Sequence, residues 1–343
     1  MSEVHFKVAI IGGGPAGIGA AVGLVKRGVG PIVLIERRGE VGGTPMGYRK
    51  KPGGVPTFVE WTRGRVVFGE ELAGRLTKRL AQTSTTIRLN TQVTKIYPAE
   101  KRLTLLGPDG FEDIVADAVV LAAGAREQTP AEKGWLAGSR TARVGFTRHL
   151  TGWLDRHGLL PARKPIVVGS DLIAYSAAAK LCALGSDEPV MIDRRRSPEA
   201  SFFERLFFRR WTRPDWSGGV STVEIKGHGS PTRLKSSNGQ EWQGDGVIIC
   251  GQLVPNTELA LMAGMAVDLP SRQLQLAQGQ ALSQPGWFAA GNVLGGFHGA
   301  QWCYFNGCSV ARSVARFLQG VDFVAGRLKT TTAGDSFYKD RND

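Results

Sequence analysis

One turn of this chain has the residue types and the spacing that bind the phosphates of a dinucleotide. Residues 6–11 read as a strand, and Gly12, Gly14 and Gly17 then complete the pattern G-x-G-x-x-G. Glu36 closes the next apolar segment about 20 residues further on, where an acid holds a ribose hydroxyl in such sites. The chemistry is the binding of a pyrophosphate at the positive end of a helix, through backbone N–H groups.

A second turn repeats this plan, but its middle glycine is replaced. Residues 165–168 read as a strand, and the turn at residues 169–174 has Asp171 where the first turn has Gly14. The middle glycine lets the backbone approach a pyrophosphate, so a carboxylate there adds bulk and a like charge, whereas Ala174 is an accepted variant of the third position. We therefore interpret the first turn as a working dinucleotide site and regard NAD(P) binding at the second as doubtful.

Both turns must be positioned by strands that alternate with helices. Short apolar runs bounded by glycine predict buried strands, and longer runs predict helices. The predicted strands are residues 6–11, 32–35, 118–123, 165–168, 190–193 and 246–250, and the predicted helices are residues 15–27, 70–81, 172–184 and 299–318.

This order of elements predicts the α/β fold class, with two Rossmann-like three-layer domains, the second inserted into the first. The scheme of the first turn starts again near Arg143, and the first domain resumes beyond about Pro255. The predicted boundaries are 1–142 for the first part of the first domain, 143–255 for the inserted domain, 256–330 for the second part and 331–343 for a polar tail.

Composition narrows the class of protein. The net charge is +13, from 43 Lys and Arg against 30 Asp and Glu, but no nucleic-acid-binding motif accompanies it, so we expect no nucleic acid partner. No apolar run approaches the roughly 20 residues that span a bilayer, and residues 1–7 are too short and polar for a signal peptide. We expect a cytoplasmic protein, with attachment to the inner membrane as an open alternative.

With these motifs in this order, the chain resembles the two-dinucleotide-binding-domain flavoproteins, the superfamily of glutathione reductase, thioredoxin reductase and NADH oxidases. The resemblance covers nearly the whole chain and rests on residues 12–17, the pair Gly42-Gly43, and residues 122–127 and 290–292. It implies that residues 1–142 and 256–330 form an FAD-binding domain and that residues 143–255 form an NAD(P)-binding-like domain with an altered fingerprint.

The resemblance also implies which residues contact FAD. The pyrophosphate would lie on residues 12–17, the adenosine ribose on Glu36 and the adenine near the backbone of Val93, while the last helix would point its positive end at the flavin. The superfamily usually has aspartate where Asn292 stands. The implied contacts are Gly12, Gly14, Pro15, Ala16, Gly17, Glu36, Arg37, Gly43, Thr44, Val93, Ala123, Gly124, Gly291 and Asn292.

Within the superfamily, the chain is most similar to the FAD α subunits of opine oxidase, hydrogen cyanide synthase and dye-linked proline dehydrogenase. The similarity rests on residues 124–129, 251–259 and 290–294. It implies partner subunits that carry flavin or iron-sulfur clusters, and a small-molecule substrate. The chain lacks the cysteines that follow Gly-Gly-Thr in disulfide reductases and the cysteine-rich cluster domain of several relatives, so we predict neither thiol chemistry nor a metal site.

Four further features have a functional and an ordinary interpretation. His298 and Tyr48 are the catalytic candidates beside the flavin, and each is alternatively a packing residue. Asp193 could hold a ribose, although we favour a solvated charge. Residues 199–213 are basic and aromatic, and could contact a partner or a membrane, or simply cover their own domain.

Three hypotheses follow. The first is an FAD-binding oxidoreductase subunit of a hetero-oligomeric amine, amino-acid or hydroxy-acid dehydrogenase, which takes part in electron transfer with its partners. The second is a stand-alone NAD(P)H-dependent flavin reductase, in which the inserted domain still binds its nucleotide. The third is a non-catalytic scaffold subunit that holds FAD.

Overall fold

The computed structural model describes residues 4–51, 53–138, 143–226 and 232–321, so the predicted tail at 331–343 lies outside the described residues. The strands up to residue 127 are β1 (Val4–Ile11), β2 (Ile32–Ile35), β3 (Phe58–Glu60), β4 (Arg65–Val67), β5 (Thr86–Arg88), β6 (Gln92–Tyr97), β7 (Arg102–Gly107), β8 (Gly110–Leu121) and β9 (Ala125–Glu127).

The remaining strands are β10 (Leu136–Gly138), β11 (Val144–Phe146), β12 (Pro165–Val168), β13 (Val190–Ile192), β14 (Asp215–Ser217), β15 (Val223–Lys226), β16 (Thr232–Ser236), β17 (Glu241–Gly244), β18 (Gly246–Ile249), β19 (Leu253–Pro255), β20 (Val267–Asp268), β21 (Gln273–Leu274) and β22 (Trp287–Ala289). The helices are α1 (Pro15–Val25), α2 (Gly69–Ala81), α3 (Pro130–Lys133), α4 (Thr147–His157), α5 (Leu172–Ala183), α6 (Phe202–Phe208), α7 (Glu258–Met262) and α8 (Ala300–Leu318).

The first sheet carries the intact glycine turn at its carboxyl edge. Its parallel strands lie in the order β5-β2-β1-β8-β22, and β7 and β6 extend the first half of β8 as an antiparallel meander. The predicted strand at 118–123 is thus the end of a longer strand, because a tight turn between Gly107 and Gly110 pairs β7 with β8. Strands buried on both faces explain the continuous apolar runs.

Helices α1 and α8 cover one face of this sheet and lie unusually close together. A Cβ at Gly19 of α1 would come within 2.0 Å of the carbonyl oxygen of Tyr304, and a Cβ at Gly307 of α8 would come equally close to that of Ala16. Glycine on both helices therefore allows their backbones to touch. The contact fixes the start of α8 against the first turn of α1.

The second sheet is also parallel, in the order β11-β18-β12-β13-β14. Helices α4, α5 and α6 pack on one face, and the mixed sheet β10-β15-β16-β17, in which only β10 and β15 are parallel neighbours, packs on the other. The chain then returns to the first sheet with β22. This arrangement confirms the predicted fold class, while the domain boundaries stay a prediction. Within the described ranges, no helix is long and apolar enough to cross a membrane.

Candidate functional site

The turn between β1 and α1 has the backbone that its glycines predict. Gly12 has φ +115°, and a Cβ there would lie 2.3 Å from the carbonyl oxygen of Ala122, while a Cβ at Gly17 would lie 1.9 Å from that of Gly12. Gly14 is different, because a Cβ there would meet only the Cα of Gly43 at 3.9 Å. Gly14 caps α1 without a side-chain hydrogen bond, so the N-terminus of this helix is open.

Glu36 lies directly beside this turn and is 7% exposed. One carboxylate oxygen accepts a hydrogen bond from the Gly13 N–H at 2.8 Å, and the other accepts one from the Arg38 N–H at 2.9 Å. The Arg38 guanidinium also donates to the carbonyl of Gly43 at 3.4 Å. Sequence reasoning selected Arg37, which is exposed, and missed Arg38, which joins the acid to the glycine loop.

Val93 lies near Glu36 through the backbone that precedes it. The N–H of Thr91 donates to the carbonyl of Glu36 at 3.0 Å, which places the start of β6 beside the acid. The Val93 side chain is 5% exposed and belongs to the hydrophobic core, so this residue can offer a ligand only its backbone. The prediction named a backbone contact at this position.

The glycine loop and the segment before α8 both meet the first turn of α1. Gly43 has φ +67°, and a Cβ there would lie 2.8 Å from the Cα of Gly14. Gly291 has φ +79°, and a Cβ there would lie 2.6 Å from the Cβ of Ala16. Thr44, next to Gly43, is exposed. The tertiary structure therefore brings motifs that are far apart in the chain to one helix end.

Ala123 and Gly124 follow β8 at the same edge of the sheet. Gly124 has φ +69°, and a Cβ there would meet nothing within 4 Å, so the space beside it is open. The Asn256 side chain donates to the carbonyl of Ala123 at 2.8 Å, and its backbone N–H donates to that of Gly124 at 3.0 Å. Sequence reasoning missed Asn256, whose amide holds this strand end in place.

The segment before α8 is held by two amide side chains. Asn306, which sequence reasoning missed, accepts a hydrogen bond from the buried N–H of Gly291 at 2.8 Å. Asn292 donates to the carbonyl of His298 and accepts from its N–H, both at 3.1 Å. A carboxylate could not make the first of these bonds, because it has no donor. The Asn292 amide therefore holds together the loop of residues 292–298.

The two catalytic candidates lie in different surroundings. The His298 ring stacks on Trp302 at 3.8 Å between centroids, and burial lowers the pKa of His298, which favours the neutral imidazole. Tyr48 packs edge-on against Phe58 at 5.2 Å, and the Lys180 ammonium of α5 lies 5.6 Å from its ring centroid. Burial, followed by the charge of Glu127, raises the pKa of Tyr48, so its hydroxyl stays protonated. Their catalytic roles stay predictions.

The second turn differs at the helix start. The Asp171 carboxylate caps α5 by accepting from the Ala174 N–H at 2.9 Å, and it also accepts from the Gln252 N–H at 3.3 Å. Burial raises the pKa of Asp171. Asp193 is 7% exposed and accepts from the Ser170 hydroxyl at 2.5 Å, so the preferred interpretation of Asp193 as a solvated charge was wrong.

A pocket of about 260 Å³ opens at this second turn, between the ends of β12, β13 and β18. Asp171 and Asp193 line it together with Arg194 and Arg195. The Lys133 ammonium, on a side chain buried in the wall, donates to the carbonyl of Cys250 at 3.1 Å. The pocket therefore holds charges of both signs around the capped end of α5.

Three other features bear on the predicted chemistry. The Arg126 guanidinium donates to the Glu132 carboxylate through both terminal nitrogens, at 2.8 and 2.7 Å, and reaches its neighbour Glu127 only at the backbone carbonyl, at 3.3 Å. The four cysteines are unpaired. In the part of the chain that the structure describes, no group of three or more His, Cys, Asp and Glu residues is placed to hold a metal ion.

Comparison with known proteins gives relatives of several activities. The chain is 29% identical over 185 residues to an opine oxidase subunit of Rhizobium meliloti, which covers 54% of this chain and 38% of that protein. It is 24% identical over 333 residues to the soluble pyridine nucleotide transhydrogenase of Vibrio parahaemolyticus, which covers 91% of this chain and 71% of that protein. The match thus spans well under half the length of the opine oxidase subunit.

Similar solved structures agree on the fold. Thioredoxin reductase of T. acidophilum has a TM-score of 0.71 at 21% identity, covering 92% of this chain and 99% of that one. L-proline dehydrogenase of P. horikoshii has a TM-score of 0.65 at 22% identity, covering 94% of this chain and 57% of that one. A water-forming NADH oxidase of Lactobacillus brevis, bound to NADH, has a TM-score of 0.68 at 17% identity, covering 91% of this chain and 69% of that one.

These comparisons do not support the doubt about NAD(P) that Asp171 raised, because one relative is a pyridine nucleotide transhydrogenase and one similar fold holds NADH. The family of the chain is clear from its match to the pyridine nucleotide-disulphide oxidoreductases, which extends over residues 6–311. The chain belongs to that family, and it is an FAD-dependent oxidoreductase.

Proposed function

We propose that this chain holds FAD at the turn before α1 and acts as the FAD-carrying subunit of a hetero-oligomeric amine, amino-acid or hydroxy-acid dehydrogenase. The observation that carries the proposal is the contrast between two helix starts. The N-terminus of α1 is open beside Gly14, whereas Asp171 fills the N-terminus of α5 with its own carboxylate. Only the first offers a phosphate a free positive helix end.

The residues at the first turn fit FAD. A pyrophosphate would lie at the open start of α1, where Gly14 leaves space and the Gly43 loop lies alongside. Each oxygen of Glu36 uses one lone pair on a backbone N–H and retains another for a ribose hydroxyl. Bound FAD would supply the capacity to accept and release electrons. The protein would bind it, orient it and keep Asn292 and His298 near it.

The electron source is inferred from the second turn and from the cysteines. A carboxylate at the start of α5 competes with a nucleotide phosphate for the same backbone N–H groups. Pro45 and Met46 follow Thr44, where a redox dithiol would stand in a disulfide reductase. A partner that oxidises the substrate therefore fits this chain. The similarity to the opine oxidase subunit supports this proposal.

A stand-alone NAD(P)H-dependent reductase is the second candidate. The pocket of about 260 Å³ beside Asp171 favours it, since Lys133, Arg194 and Arg195 line that pocket and could bind phosphate. The similarity of the chain to the pyridine nucleotide transhydrogenase also supports this hypothesis. In this case the Asp171 carboxylate would have to move away from the helix start, or take up a proton from solvent, when a nicotinamide nucleotide binds.

Anaerobic reduction separates the two candidates. The purified yellow protein is mixed with NADH or NADPH under nitrogen, and the flavin absorbance is followed. The subunit proposal predicts that the colour persists until a partner and its substrate are added, and rapid bleaching by either nucleotide contradicts it. A colourless protein that releases no nucleotide on heating contradicts both candidates and supports a scaffold. Native purification from the source, with identification of the co-purifying chains, tests the complex directly.

A further inference from the structure

Helix α6 is firmly fixed to the second domain by its inner face. Ser201 and Glu204 form a reciprocal capping box, in which the Ser201 N–H donates to the Glu204 carboxylate at 2.7 Å. Phe208, 1% exposed, stacks on Tyr175 of α5 at 6.4 Å between centroids. The position of α6 is therefore set by its caps and by the core beneath it.

The outer face of α6 exposes large apolar side chains. Phe202, Phe203 and Leu206 are 64%, 79% and 51% exposed. A shallow groove of about 280 Å³ runs along this face, lined by Phe202, Arg205, Leu206 and Arg209. Apolar side chains that are scattered singly over a surface are ordinary, but adjacent ones that form a patch mark an interaction site. Phe202 and Phe203 are adjacent. We call these five residues the α6 face.

The surroundings of the α6 face are strongly basic. Four acids lie within twelve residues of α6, at Asp193, Glu199, Glu204 and Asp215, and Glu199 pairs with Arg195 at 3.2 Å, so they offset only part of the arginine charge. The Arg210 guanidinium lies 4.2 Å from the Trp211 ring. The arginines within twelve residues of α6 are Arg194, Arg195, Arg196, Arg205, Arg209, Arg210 and Arg213.

We propose that the α6 face docks on an anionic lipid surface, with Phe202 and Phe203 entering the interface and Arg205 and Arg209 binding lipid phosphates. Aromatic residues on one face and arginine beside them are the composition of a helix that lies in the plane of a membrane interface. This inference goes beyond the proposed redox function and does not depend on it.

The size of the α6 face favours a lipid surface over a protein partner. A stable protein interface buries about 800 Å² on each side, whereas two protruding aromatic side chains and one leucine offer roughly half of that. Insertion of single side chains into lipid needs no such area, because each one gains independently. The arginine excess is complementary to the negative surface potential of anionic lipids.

Vesicle flotation tests the proposal on the full chain. We expect binding to vesicles of phosphatidylcholine with phosphatidylglycerol, little binding to phosphatidylcholine alone, and release at high salt. Phe203→Ser should weaken binding about tenfold. The matched control is Phe111→Ser, since Phe111 is 61% exposed on the β7–β8 hairpin of the first domain. This control should bind as the wild type does.

The electrostatic part has its own pair of variants. Arg209→Gln should weaken binding roughly fivefold, as expected for one arginine near an anionic surface. Lys78→Gln, on α2 of the first domain, removes the same charge elsewhere and should have little effect. Because these side chains are exposed, the thermal unfolding midpoints of the variants should stay at the wild-type value.

Three results would overturn the proposal. One is failure of the wild type to float with phosphatidylglycerol vesicles. Another is an equal loss for Phe111→Ser and Phe203→Ser, which would make the attraction non-specific. The last is a protein that does not bind vesicles but is retained on immobilised polyglutamate, with retention lost in Phe203→Ser. That result would identify the α6 face as a docking site for an acidic protein surface.

Discussion

Replacing Asp171 with glycine is the sharpest test of the contrast between the two helix starts. The change removes the carboxylate that accepts from the N–H groups of Ala174 and Gln252. It also restores the glycine pattern of the first turn at the second. If the carboxylate is what keeps a nucleotide out, the Asp171→Gly variant should bind NADH or NADPH more tightly than the wild type.

The magnitude follows from charge repulsion and from the lost cap. Two like charges about 5 Å apart repel by about 3 kcal/mol at an effective dielectric constant near 20, and solvent in the open pocket reduces this to about 1 to 2 kcal/mol. Nucleotide affinity should therefore rise about tenfold. A glycine in place of an aspartate cap costs a few tenths of a kcal/mol, so the variant should remain folded.

Equilibrium titration of NADH fluorescence measures the affinity, and thermal unfolding measures the stability. Asp171→Asn is the matched control, because an amide oxygen can still accept from Ala174 while the charge is removed. Both variants should gain affinity if charge dominates, and only Asp171→Gly should gain if bulk dominates. Unchanged affinity in both variants, or tight NADH binding by the wild type, would refute the reasoning.

Three further predictions concern the first turn and the supports around the site. Gly14→Asp places a carboxylate at the open start of α1, so we expect loss of the flavin absorbance from a protein that still unfolds cooperatively; full retention of FAD would count against the assigned site. Asn306→Ala leaves the buried Gly291 N–H without its acceptor and should lower the free energy of unfolding by about 2 kcal/mol, whereas Asn238→Ala in an exposed turn should change it little. The hydrogen bond from Arg126 lowers the pKa of Glu132 to about 2 in the folded protein, whereas a glutamate in the unfolded chain has a pKa near 4.3. The pair therefore stabilises the fold by about 1 to 2 kcal/mol above pH 4.3, and this contribution is lost as the pH falls towards 2. Urea titrations at pH 3 and pH 6 should show this loss for the wild type and a smaller one for Glu132→Gln.

Much of the first site could be predicted from the chain because its parts are local. The apolar run of β1, the glycines of the turn and the start of α1 are contiguous, and two of the glycines have a local reason: Gly12 has φ +115°, and a Cβ at Gly17 would meet the carbonyl oxygen of Gly12. The acid at the end of β2 follows at a fixed distance. Parallel strands bring their carboxyl ends to one edge, so fold class and site location follow together.

The supporting residues could not be predicted in the same way. Asn256 and Asn306 hold the site through contacts with residues 133 and 15 positions away, whereas Arg38 reaches across a loop of five residues, and nothing in their local sequence distinguishes them from surface polar residues. Asp193 was misjudged for the same reason. The nearby Arg195 N–H donates to its carboxylate at 3.1 Å, but the second donor is the hydroxyl of Ser170, 23 residues away, which local sequence does not reveal.

The chain by itself determined the fold class, the intact turn and the replacement of a glycine by Asp171, because these depend on residue type and spacing along the backbone. Only the tertiary structure decided what that replacement does. It placed the carboxylate on the N–H of Ala174 in the first turn of α5 and on the N–H of Gln252, which follows β18 and lies 81 residues away in the chain. From its spacing alone, Asp171 could be described only as an obstacle to phosphate. In the structure it is the cap of α5, because hydrogen bonds depend on distances that folding sets.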